Sequence, residues 1–149
     1  MTGYWARPDA TAQAIRDGWF HTGDAGYVDA EGFIFLKDRI KDVIISGGEN
    51  VYPAEVEAAL MAHPDVLECA VIGVPDAKWG ETVKAVVVRR QGADVGEAGL
   101  IEWSRGKLAG FKRPSSVDFI DALPRNASGK LLKRTLREPY WAGHTRRIA

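Results

Sequence analysis

A chain of 149 residues in which 20 Lys and Arg balance 20 Asp and Glu has no net field to draw it onto nucleic acid or an anionic membrane, which leaves room only for a local basic site. With 46% hydrophobic and 27% charged residues it can form a packed unit, and no apolar run approaches the ~18 residues of a membrane span. Its single cysteine, Cys69, lies in the apolar run from Val66 to Val74, which excludes an intramolecular disulfide and a cysteine-built metal cluster and reads as core. With neither a leader peptide nor a disulfide framework in view, the default location is the cytoplasm.

In chain order, Pro8 and Asp9 suit a helix start, and the spacing predicts a short helix from Pro8 to Asp17, stopped at Gly18. Trp19-Phe20, Gly26 to Val28 and Phe33 to Leu36 follow, and the turn Asp29-Ala30-Glu31-Gly32 makes the last two a hairpin. After a charged junction around Arg39 comes a strand Val43 to Ile45, a Gly47-Gly48 turn and a helix from Pro53 to Ala62 with an apolar stripe at Val56, Ala59 and Leu60. Val66 to Val74 and Thr82 to Arg89 read as buried strands. Glu97 to Ala109 has helical spacing interrupted by Gly99 and Gly106, Val117 to Ile120 is a strand, and Leu131 to Arg137 is a helix ended by Pro139. The fold class is α+β, a small mixed sheet flanked by helices and preceded by a helix and hairpin. The first ~37 residues are too few to close a core, because below about 40 residues a domain needs a staple. They are expected to pack on a neighbouring domain, on the second half, or on another copy.

Three loops combine glycine with polar residues, so that backbone can approach a ligand closely: His21 to Asp24, Ser46 to Asn50, and Pro124 to Lys130. Each alone is as well explained by an ordinary turn. Their order changes that. Gly18-Trp19-Phe20-His21-Thr22-Gly23-Asp24, Lys37 to Asp42, Ile45 to Pro53 and Pro124 to Lys130 together resemble the C-terminal motifs of acyl-CoA synthetases of the adenylate-forming (AMP-binding) superfamily, and the likeness runs from Gly3 to about Arg137.

The resemblance implies a two-step ligation. A carboxylate attacks the α-phosphorus of ATP to give acyl-adenylate and pyrophosphate, and the thiol of coenzyme A then displaces AMP, while the smaller C-terminal domain swings about a hinge between the steps. Lys130 matches the catalytic lysine of the first step, a cation placed between two anionic reactants. Asp24 matches the aspartate that accepts from the ribose hydroxyls, and Arg39 an arginine near the ribose or phosphates; the bland alternative for Arg39 is an ion pair with Asp38 or Asp42. Lys41 falls at the hinge position. Ser46, Gly47, Gly48 and Glu49 match the loop lining the pantetheine tunnel. Lys112 and Arg113, beside Phe111, could meet the CoA phosphates or be solvated, and Glu81 is read as structural. Ser128 stands where threonine is common, and Gly99, Gly106 and Gly110 loosen a helix usually more charged.

The implied organisation is residues 1–39 as the tail of the large AMP-binding domain, 40–140 as a mobile lid domain, and 141–149 as an irregular tail. ATP and Mg would be bound mainly by the N-terminal domain, which carries the phosphate loop, the adenine motif and the acyl pocket upstream of Gly3, and no metal site is expected here. The expected partners are that domain, a fatty or other carboxylic acid, ATP and CoA, with self-association through exposed residues 1–39 left open, as is peripheral membrane attachment of the full-length enzyme. The fragment alone is expected to be inactive. Two alternatives stay open: an adenylation domain loading a carrier protein, and a non-enzymatic accessory module.

Overall fold

Pro8, which fixes the backbone angle of a first helical turn, starts helix α1 (Pro8–Ala14) in the first of the two units into which the chain divides, Met1–Ile40 and Lys41–Ala149; the computed structural model describes residues 1–144. The helix ends three residues earlier than its spacing predicts. Asp17 (φ 51°) and Gly18 (φ 81°) form the two-residue turn of a small hairpin, β1 (Ile15–Arg16) with β2 (Trp19–Phe20). An Asp-Gly pair at positive φ is a strong hairpin signal and outcompetes the last helical turn.

β3 (Asp24–Val28) pairs antiparallel with β4 (Ile34–Arg39), and the turn forms where expected because Asp29 Oδ1 accepts from the amides of Glu31 at 3.0 Å and Phe33 at 2.9 Å. Tyr27 and Phe35 stack at 5.0 Å across the pair. No residue of this unit is buried: Trp5 is 96% exposed, Trp19 77%, Ile34 73% and Leu36 70%.

The second unit is built on two long strands. After a 3-10 turn (Ile40–Asp42), β5 (Ile44–Ser46) turns at Gly47-Gly48 into β6 (Glu49–Val51), a strand the sequence did not reveal because its polar residues read as loop. Helix α2 (Pro53–Met61) follows, burying Pro53, Val56 and Leu60. β7 (Val66–Asp76) and β8 (Gly80–Arg89) pair antiparallel along nearly their whole length. Helix α3 (Glu97–Arg105) ends at Gly106 rather than at Ala109, and β9 (Ser116–Phe119) pairs parallel with β8. Helix α4 (Lys133–Arg137) is shorter than its pattern suggests. The chain does not stop at Pro139 but tightens into a 3-10 turn, Glu138–Trp141, with the proline inside its first turn, where no N–H is needed. The sheet order is β6-β5-β8-β7 with β9 also on β8, a small mixed sheet flanked by helices as expected. No helix among the described residues is long and apolar enough to cross a membrane.

The apolar runs in β7 and β8 are continuous because both faces of the sheet are covered. Cys69 and Val71 with Val83, Ala85 and Val87 face one core, closed by Val56 and Leu60 of α2 and Leu100 of α3; Ala70, Ile72 and Val74 with Val86 and Val88 face the other, closed by Leu123, Leu131, Leu136 and Tyr140. Each fully buried Val, Leu or Ile among them contributes about 1.5–3 kcal/mol. Cys69 is buried as expected; burial, with the nearby Glu57 carboxylate, pushes its thiol up to about 12.

β7 lies at the end of the strand order, and an open edge invites pairing with another chain. Side chains occupy it instead. Glu57 Oε1 accepts from the Val71 amide at 2.7 Å and also pairs with Lys133 of α4 at 2.7 Å, while Trp141 Nε1 donates to the Gly73 carbonyl at 3.0 Å.

Candidate functional site: two loops at opposite ends of one sheet

In the first unit, the register of β3 and β4 sets Asp24 opposite Arg39, and the two side chains form an ion pair with Arg39 Nε 2.9 Å from Asp24 Oδ1. The ion pair of Arg39 is thus with Asp24, across the two strands. Asp38 Oδ1 accepts from the Arg39 amide at 2.8 Å, and Asp42 pairs with Arg137 at 3.0 Å in the second unit. Arg39 also donates from Nη1 to the Thr22 carbonyl at 3.0 Å, and Thr22 Oγ1 accepts from the Asp24 amide at 3.2 Å. Gly23, at φ 77°, lets the loop fold back so that its carbonyl accepts from the Ile40 amide at 2.9 Å. Beside this knot lies an open cavity of about 500 Å³ whose lining includes Gln13, Arg16, Phe20, His21 and Asp24.

Lys41 opens the second unit inside the 3-10 turn, and its carbonyl accepts from Arg137 Nη1 at 3.2 Å. Arg137 thus holds both this carbonyl and the Asp42 carboxylate, an ion pair whose two side chains are each 13% exposed. Sequence reasoning missed this contact: 95 residues separate Asp42 from Arg137, and no local pattern joins them.

The Ser46 to Glu49 loop is the β5–β6 turn, with Ser46 opposite Glu49 and both central glycines at positive φ, 59° for Gly47 and 88° for Gly48. Such a two-residue turn needs both angles positive, which glycine adopts without strain. Gly47 has a second reason to be glycine: its amide donates to the Trp79 carbonyl at 2.9 Å, and a Cβ there would lie 2.7 Å from the Trp79 ring. The turn is seated on the β7–β8 connection. Glu81, a β8 residue only 6% exposed, lays its carboxylate against Gly73 of β7.

Lys112 and Arg113 already hold protein partners. Lys112 Nζ pairs with Glu55 at 2.7 Å, and Arg113 donates to the carbonyls of Leu108 at 3.1 Å and Arg105 at 3.3 Å.

The Pro124 to Lys130 loop is exposed but tightly closed. Arg125 bridges Leu131, the Asn126 amide donates to the Lys130 carbonyl at 3.0 Å, and the Leu132 amide donates to the Pro124 carbonyl at 2.8 Å. Gly129, at φ 81°, completes the reversal. The Lys130 ammonium, on the shoulder of this turn, has no ion pair among the described residues.

Within the second unit the structure does not bring Lys130 and Gly47 together. Gly47 adjoins the turn that follows Asp76, whereas Arg125 ties the lysine loop to Glu68 at 2.9 Å. Glu68 lies near the start of β7 and Asp76 is its last residue, just before the connection that carries Trp79; the eight residues between them, at about 3.3 Å per strand residue, span roughly 26 Å. Among the described residues no three His, Cys, Asp or Glu side chains gather as a metal set.

A profile of the AMP-binding enzyme C-terminal domain matches residues 55–130, ending on Lys130 itself. The chain is 55% identical over 140 residues to feruloyl-CoA synthase of Amycolatopsis sp., covering 94% of this chain and 28% of that protein. It is 50% identical over 148 residues to the fatty acid–[acyl-carrier-protein] ligase ScoC of Streptomyces coeruleorubidus, covering 99% and 28%. Among solved structures, ATP-bound MatB from Rhodopseudomonas palustris superposes with a TM-score of 0.85 at 48% identity, covering 96% of this chain and 29% of that one. The chain thus spans little more than a quarter of the length of these relatives. Matched over half its length by that profile and over nearly all of it by these relatives, the chain belongs to the AMP-binding enzyme C-terminal domain family.

Proposed function

We propose that this chain is the C-terminal part of an ATP-dependent acid–thiol ligase that makes acyl-CoA through an acyl-adenylate, supplying a different loop to each half-reaction. The observation that carries this reading is the placement of Lys130 and the Gly47-Gly48 turn at opposite ends of one sheet. A rigid sheet with two buried faces cannot offer both ends to one reaction centre at once. It can do so in turn, by rotating.

In the first step the Lys130 ammonium would stand between the attacking carboxylate and the α-phosphate, neutralising charge where it accumulates as the oxygen–phosphorus bond forms and pyrophosphate leaves. Lysine suits a loop that must arrive and withdraw, because its charge is compact and its stem long. Asp24, held and oriented by Arg39, would accept hydrogen bonds from the ribose hydroxyls. In the second step the Ser46 to Glu49 turn would present glycine backbone to the pantetheine arm, with no Cβ to narrow its passage, as the CoA thiol attacks the acyl carbonyl and AMP departs. Lys41, the first residue of the second unit, would be the hinge, where a few terminal residues absorb the change in φ and ψ.

ATP, magnesium and the carboxylic acid would be held mainly by an upstream domain like that of the longer relatives. The exposed apolar residues of Met1–Ile40 are the surface that such a domain would cover. On this reading 1–39 closes the large domain, 40–140 is the lid, and the chain by itself makes no acyl-CoA.

ATP–pyrophosphate exchange across a panel of carboxylic acids, in the intact native polypeptide with and without Lys130→Ala, tests the assignment. Exchange should fall by orders of magnitude in the variant while thioester formation from supplied acyl-adenylate survives. Normal exchange in the variant would remove Lys130 from the mechanism.

Carrier-protein loading is a second reading, favoured by the likeness to ScoC and by Lys112 and Arg113 being already engaged with Glu55 and with backbone. Charge reversal at both positions separates the two. A rise in KM for free CoA supports the CoA ligase, and no change supports a carrier-borne thiol.

A further inference from the structure

Every residue from Arg125 to Lys130 is exposed, so burial cannot hold the lysine loop in one conformation. Its flanks are fixed, because Leu123 and Leu131 pack into the core on one face of the sheet. Between them the turn depends on its own hydrogen bonds, and these converge on one atom. Asn126 Oδ1 accepts three: from the Ser128 amide at 3.1 Å, from Ser128 Oγ at 2.8 Å and from the Lys130 amide at 2.8 Å. The last fixes the backbone of the lysine itself. Arg125 closes the other side, donating from Nη1 to the Gly129 carbonyl at 3.0 Å and from Nη2 to Glu68 of β7 at 2.9 Å. Gly129 is thereby tied through Arg125 to the long edge strand β7, and Lys130, the next residue, is held by Asn126.

We propose that Asn126 and Arg125, with Glu68 as the anchor on β7, are positioning residues that preorganise the lysine loop and set the rate of adenylation without touching the reactants; this rests on the reading of Lys130 as the adenylation lysine. The physical need is specific. A lysine has four rotatable side-chain bonds, so its backbone must be placed accurately for the ammonium to meet a reacting oxygen, and misplacement by about 1 Å can cost roughly 10²-fold in rate. The Arg125–Glu68 pair is well suited to aim rather than to stabilise: its side chains are 45% and 38% exposed, and exposed pairs contribute little to folding. Asn126 serves through an acceptor oxygen, and aspartate would keep that oxygen where alanine removes it.

The test compares Asn126→Ala, Asn126→Asp, Glu68→Gln and Lys130→Ala in the intact native polypeptide, measuring ATP–pyrophosphate exchange and, separately, thioester formation from supplied acyl-adenylate. Asn126→Ala should lower kcat for exchange roughly 10- to 100-fold with KM for ATP within about twofold and the thioester half-reaction within about twofold. Asn126→Asp should recover most of that loss, and Glu68→Gln should show a smaller, several-fold decrease confined to exchange. A loss equal in both half-reactions would reduce Asn126 to a folding role, and an exchange rate within twofold of the unmodified protein would overturn the proposal. If Lys130→Ala silences exchange while Asn126→Ala leaves it intact, positioning fails alone. If Lys130→Ala exchanges normally, the lysine reading fails and takes positioning with it.

Discussion

The two units of this chain spend apolar residues in opposite ways. In Met1–Ile40 the large apolar side chains Trp5, Trp19, Ile34 and Leu36 are exposed and nothing is buried; in Lys41–Ala149 the β7 and β8 side chains alternate into two closed cores. The share of apolar residues does not distinguish them. Closure does: a two-stranded hairpin has no second layer to bury its face, whereas a sheet with helices on it does. The first unit leaves its apolar side chains on the surface, and the second encloses them between sheet and helices.

The largest consequence concerns autonomy. Residues 41–149 produced alone should melt in one cooperative transition by circular dichroism, and residues 1–40 produced alone should show none. A cooperative transition in the short piece would mean that its hairpins find a core that their sequence does not supply. Next in size is a pair of substitutions. Leu60→Ala, at a position with no exposure, should cost about 2–5 kcal/mol, whereas Trp19→Ala, at 77% exposure, should stay within about 0.5 kcal/mol despite removing the larger side chain. Denaturant unfolding of the 149-residue chain compares them directly, and similar costs would erase the contrast between the units.

What the sequence could reveal follows the same division between local and distant causes. The hairpin turn at Asp29 to Gly32, the Pro53 start of α2 and the paired glycines of the β5–β6 turn each depend on a few adjacent residues, and each was readable. Strand β6 was hidden because Glu49 and Asn50 look like loop, and only pairing with β5 makes them strand. The end of α1 was misjudged where an Asp-Gly turn competed with a weak helical pattern. The lysine loop was legible as a motif, and Asn126 two residues before Ser128 is a recognisable turn pattern. Its anchor was not: Glu68 lies 57 residues from Arg125 and reaches it only because β7 runs past the loop. The same holds for Asp42 and Arg137, and for Asp24 and Arg39, which became a pair only when two strands set them opposite each other.

Polar groups sharpen the contrast at the smallest scale. In the first unit Arg7 and Asp9 meet at 3.4 Å with both side chains about two-thirds exposed, an arrangement that contributes little. In the second unit Lys84, 9% exposed on β8, pairs with Asp118 of β9 at 2.7 Å and lies over the Tyr140 ring at 5.0 Å, while the Tyr140 hydroxyl donates to the other Asp118 oxygen. Burial, then the hydrogen bond to the Asp118 carboxylate, pushes the Tyr140 phenol up to about 12. Burial alone would raise Asp118, but the hydrogen bonds from Lys84 and Tyr140 outweigh it and hold that carboxyl below the usual range. The signs give two windows. The raised phenol contributes stability that is complete below the unfolded value of about 10 and lost as pH climbs towards 12; the lowered carboxyl contributes stability present above about 3.9 and lost as pH falls through its folded value. The difference in ultraviolet titration between the unmodified chain and Tyr140→Phe should therefore report one phenol with a midpoint near 12. Asp118→Asn should draw that midpoint downwards without returning it to about 10, because burial remains. A difference titration centred at 10 would mean that the phenol is solvated and free of Asp118, and would leave the Trp141 bond to the Gly73 carbonyl to tether the 3-10 turn to the sheet.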